Sequence, residues 1–228
     1  MSLEELKKKA AEQAVEQVED GMVLALGTGS TAKYATIKIG ELWKAGALAN
    51  IVGVPTSEGT ASLARDYDIP LAALDEYDRI DLAIDGADEV DPNLDLIKGL
   101  GGALLREKMI EAIVEHFIVV VDETKIVEKL GTRSPVPVEV TRFAWKAHAR
   151  WLEGLGCTPE LRGGGAEPYI TDNGNYIIDC TFPDGVDDPA ALAVTLRSRP
   201  GILEHGLFLN MADEVIVAEA TGTRVLRR

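Results

Sequence analysis

The sequence predicts an α/β protein with a doubly wound, mostly parallel, Rossmann-like sheet domain and a smaller ferredoxin-like α+β domain. Between residues 22 and 121, short and almost wholly apolar strands alternate with helical segments, as in a parallel sheet covered on both faces. Between residues 132 and 206 the predicted order is β-α-β-β-α-β, which is that of the split βαβ unit. We therefore predict one domain over 1–131 and 207–228 and a second over 132–206.

The first domain is predicted to begin with an amphipathic helix over residues 3–19, ended by Asp20-Gly21. The apolar stripe of this helix consists of Leu3, Leu6, Ala10, Ala14 and Val18. Buried strands and helices follow in alternation, with strands at 22–26, 51–55, 80–84 and 117–121 and helices at about 31–43, 57–67 and 103–115. EVIVAEA (214–220) and TRVLRR predict two strands that return to this domain.

The second domain is predicted to begin with the strand VPVEV (136–140), followed by a helix over 141–156 that Gly156 closes. Two strands, 157–162 and 175–182, flank ITDNGN, whose Asn-Gly pair favours a turn. A helix over 188–198 and a strand over 201–208 complete the unit.

Composition limits the classes of function. The chain has 228 residues, of which 46% are hydrophobic and 27% charged, as in an ordinary soluble globular protein. No apolar run approaches the roughly 18 residues of a membrane helix, and the N-terminus lacks the apolar core of a signal peptide, so we expect a cytoplasmic location. A formal charge of −15 argues against nucleic-acid binding and requires any phosphate site to be a local positive island.

The cysteines and histidines do not form a metal-binding pattern. Cys157 and Cys180 lack C-x-x-C spacing, which indicates neither a zinc site nor a disulfide framework. His116, His148 and His205 are scattered, without a pattern of paired ligands around them. We therefore expect no metal.

The stretch GTGSTA (27–32) has two interpretations. Its G-x-G-x-x-A spacing matches the turn that seats a dinucleotide pyrophosphate, whereas the hydroxyls of Thr28, Ser30 and Thr31 suit a single small phosphate. Dinucleotide enzymes usually place an acid at the end of the second strand, and here no acid occurs before Glu58. The small phosphate is therefore favoured. In PTSEGT (55–60), Thr56 or Ser57 is predicted to cap a helix.

Two further stretches carry groups suited to catalysis. Asp85, Gly86, Ala87 and Asp88 follow a predicted parallel strand, at the sheet edge where ligands of open α/β sheets bind. A solvated acidic turn is the alternative interpretation of this loop.

The next stretch, IKGLGGALLREK, places Lys98 before Gly99, Gly101 and Gly102 and puts Glu107 about one turn inside a helix. A carboxylate base, a lysine and close backbone N–H groups can move a proton next to a carbonyl. A glycine-rich turn that leads into a surface helix is the alternative here. Lys125, after the strand that ends at 121, is either a phosphate ligand or a surface lysine.

Taken together, the motifs resemble those of type A ribose-5-phosphate isomerases. GTGSTA, PTSEGT, DGADEVD, IKGLGGALLREK, VDETK, PVEV, TDNGN and PGILEHGLF occur in that family's order between residues 27 and 208. The resemblance implies interconversion of ribose 5-phosphate and ribulose 5-phosphate in the pentose phosphate pathway, without a cofactor or metal. It also implies a homodimer or homotetramer.

The resemblance also implies roles for individual residues. Glu107 would be the base that moves a proton between C1 and C2, and Asp85 and Asp88 would hold sugar hydroxyls and assist ring opening. The enediolate would be stabilised by Lys98 and the N–H groups of Gly99, Leu100 and Gly101. Other substrate-binding positions would be Gly86 and Ala87 in the acidic loop and, at the phosphate, Thr28, Gly29, Ser30, Thr31 and Lys125, with Lys7 a weaker candidate.

Leu100 departs from the family pattern, which usually reads K-G-G-G-[GA]-A. A leucine with positive φ would be strained by roughly 1–2 kcal/mol. We therefore expect an ordinary φ at this position, with the side chain packed inward.

Three other functions fit parts of the pattern. The first is an NAD(P)-dependent dehydrogenase, and the second is a coenzyme A transferase of related fold that uses a glutamate nucleophile. The third is a sugar-phosphate-sensing domain of a transcriptional regulator, which the charge of −15 and the lack of a helix-turn-helix before the first strand disfavour.

Overall fold

The computed structural model describes residues 2–228, which form two compact units. The first unit comprises the chain up to Ala87 together with Arg106–Lys125 and Met211–Arg228, and the second comprises Asp88–Leu105 and Ile126–Asn210. The helices are α1 (Leu3–Val15), α2 (Ala32–Lys44), α3 (Glu58–Asp66), α4 (Leu104–Glu111), α5 (Trp145–Glu153) and α6 (Pro189–Arg197). The strands are β1 (Val23–Leu26), β2 (Val52–Pro55), β3 (Ile80–Asp85), β4 (Glu89–Val90), β5 (Leu96–Ile97), β6 (Val114–Asp122), β7 (Val136–Val140), β8 (Thr158–Leu161), β9 (Tyr176–Thr181), β10 (Ile202–His205), β11 (Leu207–Phe208), β12 (Glu214–Glu219) and β13 (Gly222–Arg227).

The first unit is built on a six-stranded sheet in the order β2-β1-β3-β6-β12-β13. The first five strands in that order are parallel, and β13 pairs antiparallel with β12 at one edge. Chain order reverses between β1 and β3, so the crevice at their carboxyl ends is the topological switch point where doubly wound sheets bind ligands. The predicted return of the last two strands to this domain is confirmed.

Helix α1 packs on the sheet through alanines, which bring its backbone close to the strands. Ala10 and Ala14 are fully buried in the core cluster that also holds Leu26, Ile118 and Ile216. A capping box at Ser2 and Glu5 satisfies the first N–H groups of the helix. The helix ends at Val15, four residues before the predicted end, and turns carry the chain to β1.

The second unit has the predicted β-α-β-β-α-β order, from β7 to β10. The four strands form an antiparallel sheet in the order β10-β7-β9-β8, and α5 and α6 contribute Leu152 and Leu196 to its core. The doubly wound sheet with a smaller ferredoxin-like unit is therefore confirmed. Residues 162–175 join β8 to β9, so the Asn173-Gly174 turn lies within a long connection and not in a tight hairpin.

A three-stranded sheet, β11-β5-β4, also belongs to the second unit. Because β4 and β5 pair with each other and β5 pairs with β11, residues 88–105 group with this unit. The domain boundaries predicted from the sequence placed these residues in the first domain. The single strand predicted over 201–208 is two strands, β10 and β11, because the two pair in different sheets. At Gly206 the chain leaves one sheet for the other, and a Cβ there would lie 2.4 Å from the carbonyl oxygen of Lys98.

The helix predicted over 103–115 was too long. Helix α4 ends at Glu111, and β6 begins at Val114, because residues 114–116 extend the pairing of β6 with β3 through Ile80 and Leu82. Backbone pairing thus overrides the helical pattern of this segment.

Candidate active site

At the switch point, the carboxylate of Asp85 is held against the loop that follows β1. Asp85 ends β3 and is 1% exposed, and its Oδ1 accepts the N–H groups of Thr28 at 2.9 Å and Gly86 at 2.6 Å. A Cβ on Gly27 would lie 2.4 Å from both Cγ and Oδ1 of Asp85. Gly27, the first glycine of GTGSTA, therefore leaves room for the carboxylate of Asp85 and not for a ligand, a role that the sequence alone did not indicate.

The hydroxyl of Thr28 points into a cluster of hydroxyls at the end of β2. Its Oγ1 lies 2.7 Å from that of Thr56, 2.8 Å from Oγ of Ser57 and 3.0 Å from Oγ1 of Thr60. Three such partners saturate a hydroxyl. Both polar groups of Thr28 that a ligand could use are thus engaged by the protein. Ser57 also caps α3 by accepting the N–H of Thr60, as predicted.

The backbone after Thr28 presents free donors. Within residues 2–228, the N–H groups of Gly29, Ser30 and Thr31 have no acceptor. Gly29 has φ +119°, and Thr31 precedes α2 without making a side-chain cap. Free N–H groups at the start of a helix, reinforced by its dipole, form an anion site. Lys7 Nζ donates to Ser30 Oγ at 3.0 Å and so adds a positive charge beside these groups.

Lys125 lies half-buried in the short turn after β6. In the described part of the chain, no carboxylate lies within 4 Å of its Nζ. The ammonium can therefore pair with an anion.

Helix α4 buries charged residues on the face where a core helix normally carries apolar ones. Leu104, Glu107, Lys108 and Glu111 follow i, i+3, i+4, i+7 spacing and are all buried, whereas Met109 is 54% exposed. Glu107 itself is 4% exposed, and the neighbouring Arg106 donates to Glu58 of α3 at 2.8 Å. Charged residues are rarely buried without a functional or structural reason, so this inverted pattern makes α4 a candidate element of the site.

In the second unit, the glycine-rich loop after β5 is tied to Asp88. Leu100 donates its N–H to Asp88 Oδ2 at 2.9 Å, and Asp88 donates its own N–H to the carbonyl of Ile97 at 2.7 Å. Within residues 2–228, the N–H groups of Gly99 and Gly101 have no acceptor. Lys98 is 2% exposed, with Nζ 5.4 Å from the ring centroid of Phe208. This loop therefore joins two donors to a buried lysine.

Leu100 confirms one expectation and corrects another. Gly99 and Gly102 have positive φ, at +104° and +85°, and Leu100 does not, so the leucine is unstrained. Its side chain is 40% exposed, however, and the prediction of inward packing was wrong. The backbone of Leu100 is used on both sides, by Asp88 and by a contact of its carbonyl with Arg162, which leaves the side chain outside.

Arg162 and Tyr169 are the residues near this loop that sequence reasoning missed. Arg162 Nη1 donates to the carbonyls of Gly99 at 2.9 Å and Leu100 at 3.1 Å. The Tyr169 side chain packs on Gly102, where a Cβ would lie 2.2 Å from its hydroxyl oxygen. Arg162 lies 63 positions from Gly99 in sequence and Tyr169 lies 67 from Gly102, so no local pattern could indicate them.

The described residues lack two features that other classes of function would require. No cluster of three or more His, Cys, Asp or Glu side chains with metal-binding geometry occurs among them. None of the described helices combines the length and apolar character that crossing a bilayer requires.

Known proteins share the sequence and the fold of this chain over its whole length. The sequence model of the family described as ribose 5-phosphate isomerase A (phosphoriboisomerase A) matches residues 52–222. The chain belongs to the ribose 5-phosphate isomerase A family. Relatives in this family include ribose-5-phosphate isomerase A of Pyrococcus horikoshii, 50% identical with all of both chains covered. The probable chloroplastic ribose-5-phosphate isomerase 3 of Arabidopsis thaliana is 53% identical, covering all of this chain and 85% of the relative.

Solved structures of the family have the same fold. A D-ribose-5-phosphate isomerase in complex with phospho-erythronic acid superimposes with a TM-score of 0.96 at 50% identity and full coverage of both chains. The ribose 5-phosphate isomerase of Plasmodium falciparum gives a TM-score of 0.95 at 37% identity, with 99% of each chain covered.

Proposed function

We propose that this protein interconverts D-ribose 5-phosphate and D-ribulose 5-phosphate through an enediolate, with Glu107 as the base, in the non-oxidative pentose phosphate pathway. The observation that carries this proposal is the match over the whole chain to relatives named for that activity, with half of the residues identical. The arrangement of donors and carboxylates in each unit supports it independently.

The phosphate is assigned to the free N–H groups of Gly29, Ser30 and Thr31, with Lys7 and Lys125 supplying positive charge. Together these groups form a small region of positive potential. A chain of net charge −15 needs such a region to attract an anionic substrate, because its overall field repels anions. Thr28 takes part by shaping the loop, because its N–H and hydroxyl are already engaged with Asp85 and the hydroxyl cluster.

Asp85 and Asp88 are assigned to the sugar hydroxyls, and the backbone of Gly86 and Ala87 joins them. Two N–H groups, those of Thr28 and Gly86, donate to Oδ1 of Asp85 and fix the orientation of its carboxyl group. A fixed carboxylate can accept a proton from the anomeric hydroxyl and so assist opening of the furanose ring. Asp88 is fixed in turn by the N–H of Leu100.

In the isomerisation step, Glu107 removes the proton from C2 of the open aldose, and the electron pair of that C–H bond forms the C1–C2 double bond of the enediolate. The proton of the C2 hydroxyl passes to the oxygen on C1, the same carboxyl group delivers a proton to C1, and the oxygen on C2 becomes the ketone. Lys98 and the N–H groups of Gly99 and Gly101 are assigned to the negative charge that develops on oxygen. The N–H of Leu100 contributes indirectly, through Asp88.

Anchoring the phosphate serves the chemistry at the other end of the substrate. Binding energy at a remote group can orient the reacting carbons against the base. In favourable cases such orientation lowers the activation free energy by about 7–11 kcal/mol.

The test is formation of ribulose 5-phosphate from ribose 5-phosphate by the purified protein after treatment with EDTA. We expect turnover to survive chelation, because every assigned role is filled by a side chain or a backbone group. Loss of activity that zinc or magnesium restores would contradict the mechanism. Complete inactivity with ribose 5-phosphate, in protein that still binds inorganic phosphate, would contradict the substrate assignment.

A further inference from the structure

We propose that Arg162 is a positioning residue for this reaction, which it serves by orienting the glycine-rich loop 98–102 from the small antiparallel sheet. The inference rests on the proposed function and extends it to a residue outside the predicted motifs. All of the contacts that support it lie within the second unit.

Arg162 follows β8 and bridges the sheet to the loop. Its Nε and Nη2 donate to the two carboxylate oxygens of Asp179 on β9, at 2.9 and 2.5 Å. Its Nη1 donates to the carbonyl oxygens of Gly99 and Leu100. A two-pronged contact with a carboxylate fixes the plane of the guanidinium, and the arginine side chain is only 15% exposed. The loop is therefore held by a rigid group.

The segment that follows Arg162 completes the support. Tyr169 donates its N–H to the Arg162 carbonyl at 2.8 Å, which closes the segment 162–169 into a loop. The Tyr169 side chain covers Gly102, and the Arg162 guanidinium carbon lies 5.8 Å from the tyrosine ring centroid. Both ends of this segment thus rest on the glycine-rich loop.

Peptide geometry connects these contacts to catalysis. In a planar trans peptide the carbonyl and the N–H point in opposite directions, and cis peptides are absent from the described chain. Fixing the Gly99 carbonyl therefore directs the N–H of Leu100, which donates to Asp88 Oδ2. Fixing the Leu100 carbonyl directs the N–H of Gly101, one of the two donors assigned to the enediolate.

The cation also strengthens these donors. Hydrogen bonds in a chain polarise one another, and a guanidinium on a carbonyl makes the N–H of the same peptide a better donor. Arg162 consequently acts on one sugar-binding carboxylate and on one enediolate donor at once. A purely structural ion pair would act on neither.

The test compares Arg162→Lys with the wild-type protein. An ammonium retains a positive charge beside Asp179, but it cannot hold both carboxylate oxygens and both carbonyls in one plane. The control is Arg197→Met, which removes an exposed arginine of the same unit that lies 3.4 Å from Glu204. Four quantities are measured in each protein: kcat and KM for ribose 5-phosphate, the binding of inorganic phosphate, the inhibition constant of phospho-erythronic acid, and the melting temperature.

Phospho-erythronic acid, the ligand in the solved structure of a related isomerase, is informative because it carries a carboxylate as well as a phosphate, so its affinity depends on more than the phosphate site. We expect Arg162→Lys to lower kcat by about 30- to 100-fold and to weaken phospho-erythronic acid at least about tenfold. The binding of inorganic phosphate should change by less than about threefold, because it depends on the phosphate site alone, and the KM for ribose 5-phosphate should rise by less than kcat falls. Arg197→Met should resemble the wild type in every quantity.

Two results would overturn the positioning role. One is a folded Arg162→Lys variant with kcat close to that of the wild type. The other is a loss of kcat accompanied by an equal loss of phosphate affinity and a lower melting temperature, which would identify Arg162 as a structural residue. If the wild-type protein itself does not convert ribose 5-phosphate, the proposed function fails, which is distinguishable from an active wild type with an equally active variant.

Discussion

Replacing Gly27 by alanine tests whether the absence of a side chain at this position is what allows the Asp85 carboxylate to pack against the loop after β1. The added Cβ would lie 2.4 Å from Cγ and Oδ1 of Asp85 and 2.5 Å from the carbonyl oxygen of Ile84. Ordinary contact begins at 3.4 Å, so these atoms must retreat by about 1 Å. Since Ile84 is part of β3, its oxygen cannot swing away as a side chain would. The carboxylate or the whole loop has to move.

The structure sets the size of the effect. Overpacking of this kind costs about 1–3 kcal/mol, which lowers the melting temperature of a chain of this length by roughly 2–12 °C. A displacement of about 1 Å at a catalytic group costs on the order of 100-fold in rate. We therefore expect Gly27→Ala to lose far more activity than its change in stability alone would produce.

The assay is kcat for ribose 5-phosphate together with the melting temperature, and Gly59→Ala is the matched control. Gly59 lies in α3 with its nearest neighbour, Ser57 Oγ, 3.8 Å from the added Cβ, so alanine there should stabilise the helix by about 0.4–1 kcal/mol and leave kcat unchanged. Wild-type kcat and melting temperature in Gly27→Ala would refute the reasoning.

Two further predictions concern charge. Lys125→Met should raise KM for ribose 5-phosphate about tenfold and change kcat less than about threefold. The control, Lys129→Met, removes a lysine paired with Asp187 and should change neither quantity. Equal kinetics in the two variants would show that Lys125 is not part of the phosphate site. Burial, and then the neighbouring Arg199, lower the pKa of His148. Because the unfolded chain binds this proton more readily, protonation favours the unfolded state. The stability contributed by neutral His148 is therefore complete above the unfolded pKa of about 6.5 and declines as the pH falls below it. Melting curves between about pH 7.5 and pH 5 should show a smaller decline for His148→Gln than for the wild type, and identical slopes would contradict this.

The sequence was sufficient for features that depend on local patterns. Apolar runs such as IDLAI and FIVVV predict the parallel strands, and PTSEGT predicts a helix cap at Thr56 or Ser57, of which the structure has Ser57. Position after a strand indicates Asp85, and the glycine-rich stretch that leads into a helix indicates Lys98 and Glu107; the structure buries all three.

Other features depend on contacts that are distant in sequence. The Gly27 contact with Asp85 spans 58 positions, and the Arg162 contacts with the glycine-rich loop span 62 and 63. The sequence also could not show that Thr28 is consumed by the protein's own hydrogen bonds, because that follows from Thr56, Ser57 and Thr60 meeting it in space. Spacing thus indicated which residues could react, and tertiary structure determined which of them remain available to a ligand.

The most direct test of the central claim is the comparison of binding and turnover in Glu107→Gln. The substitution keeps the size of a side chain that is 4% exposed and removes only its ability to accept and return a proton. The account predicts that the variant binds ribose 5-phosphate with a Kd within about threefold of the wild-type value and loses at least about 1,000-fold in kcat. Turnover near the wild-type rate, in a variant that binds substrate normally, would contradict the assignment of Glu107 as the base.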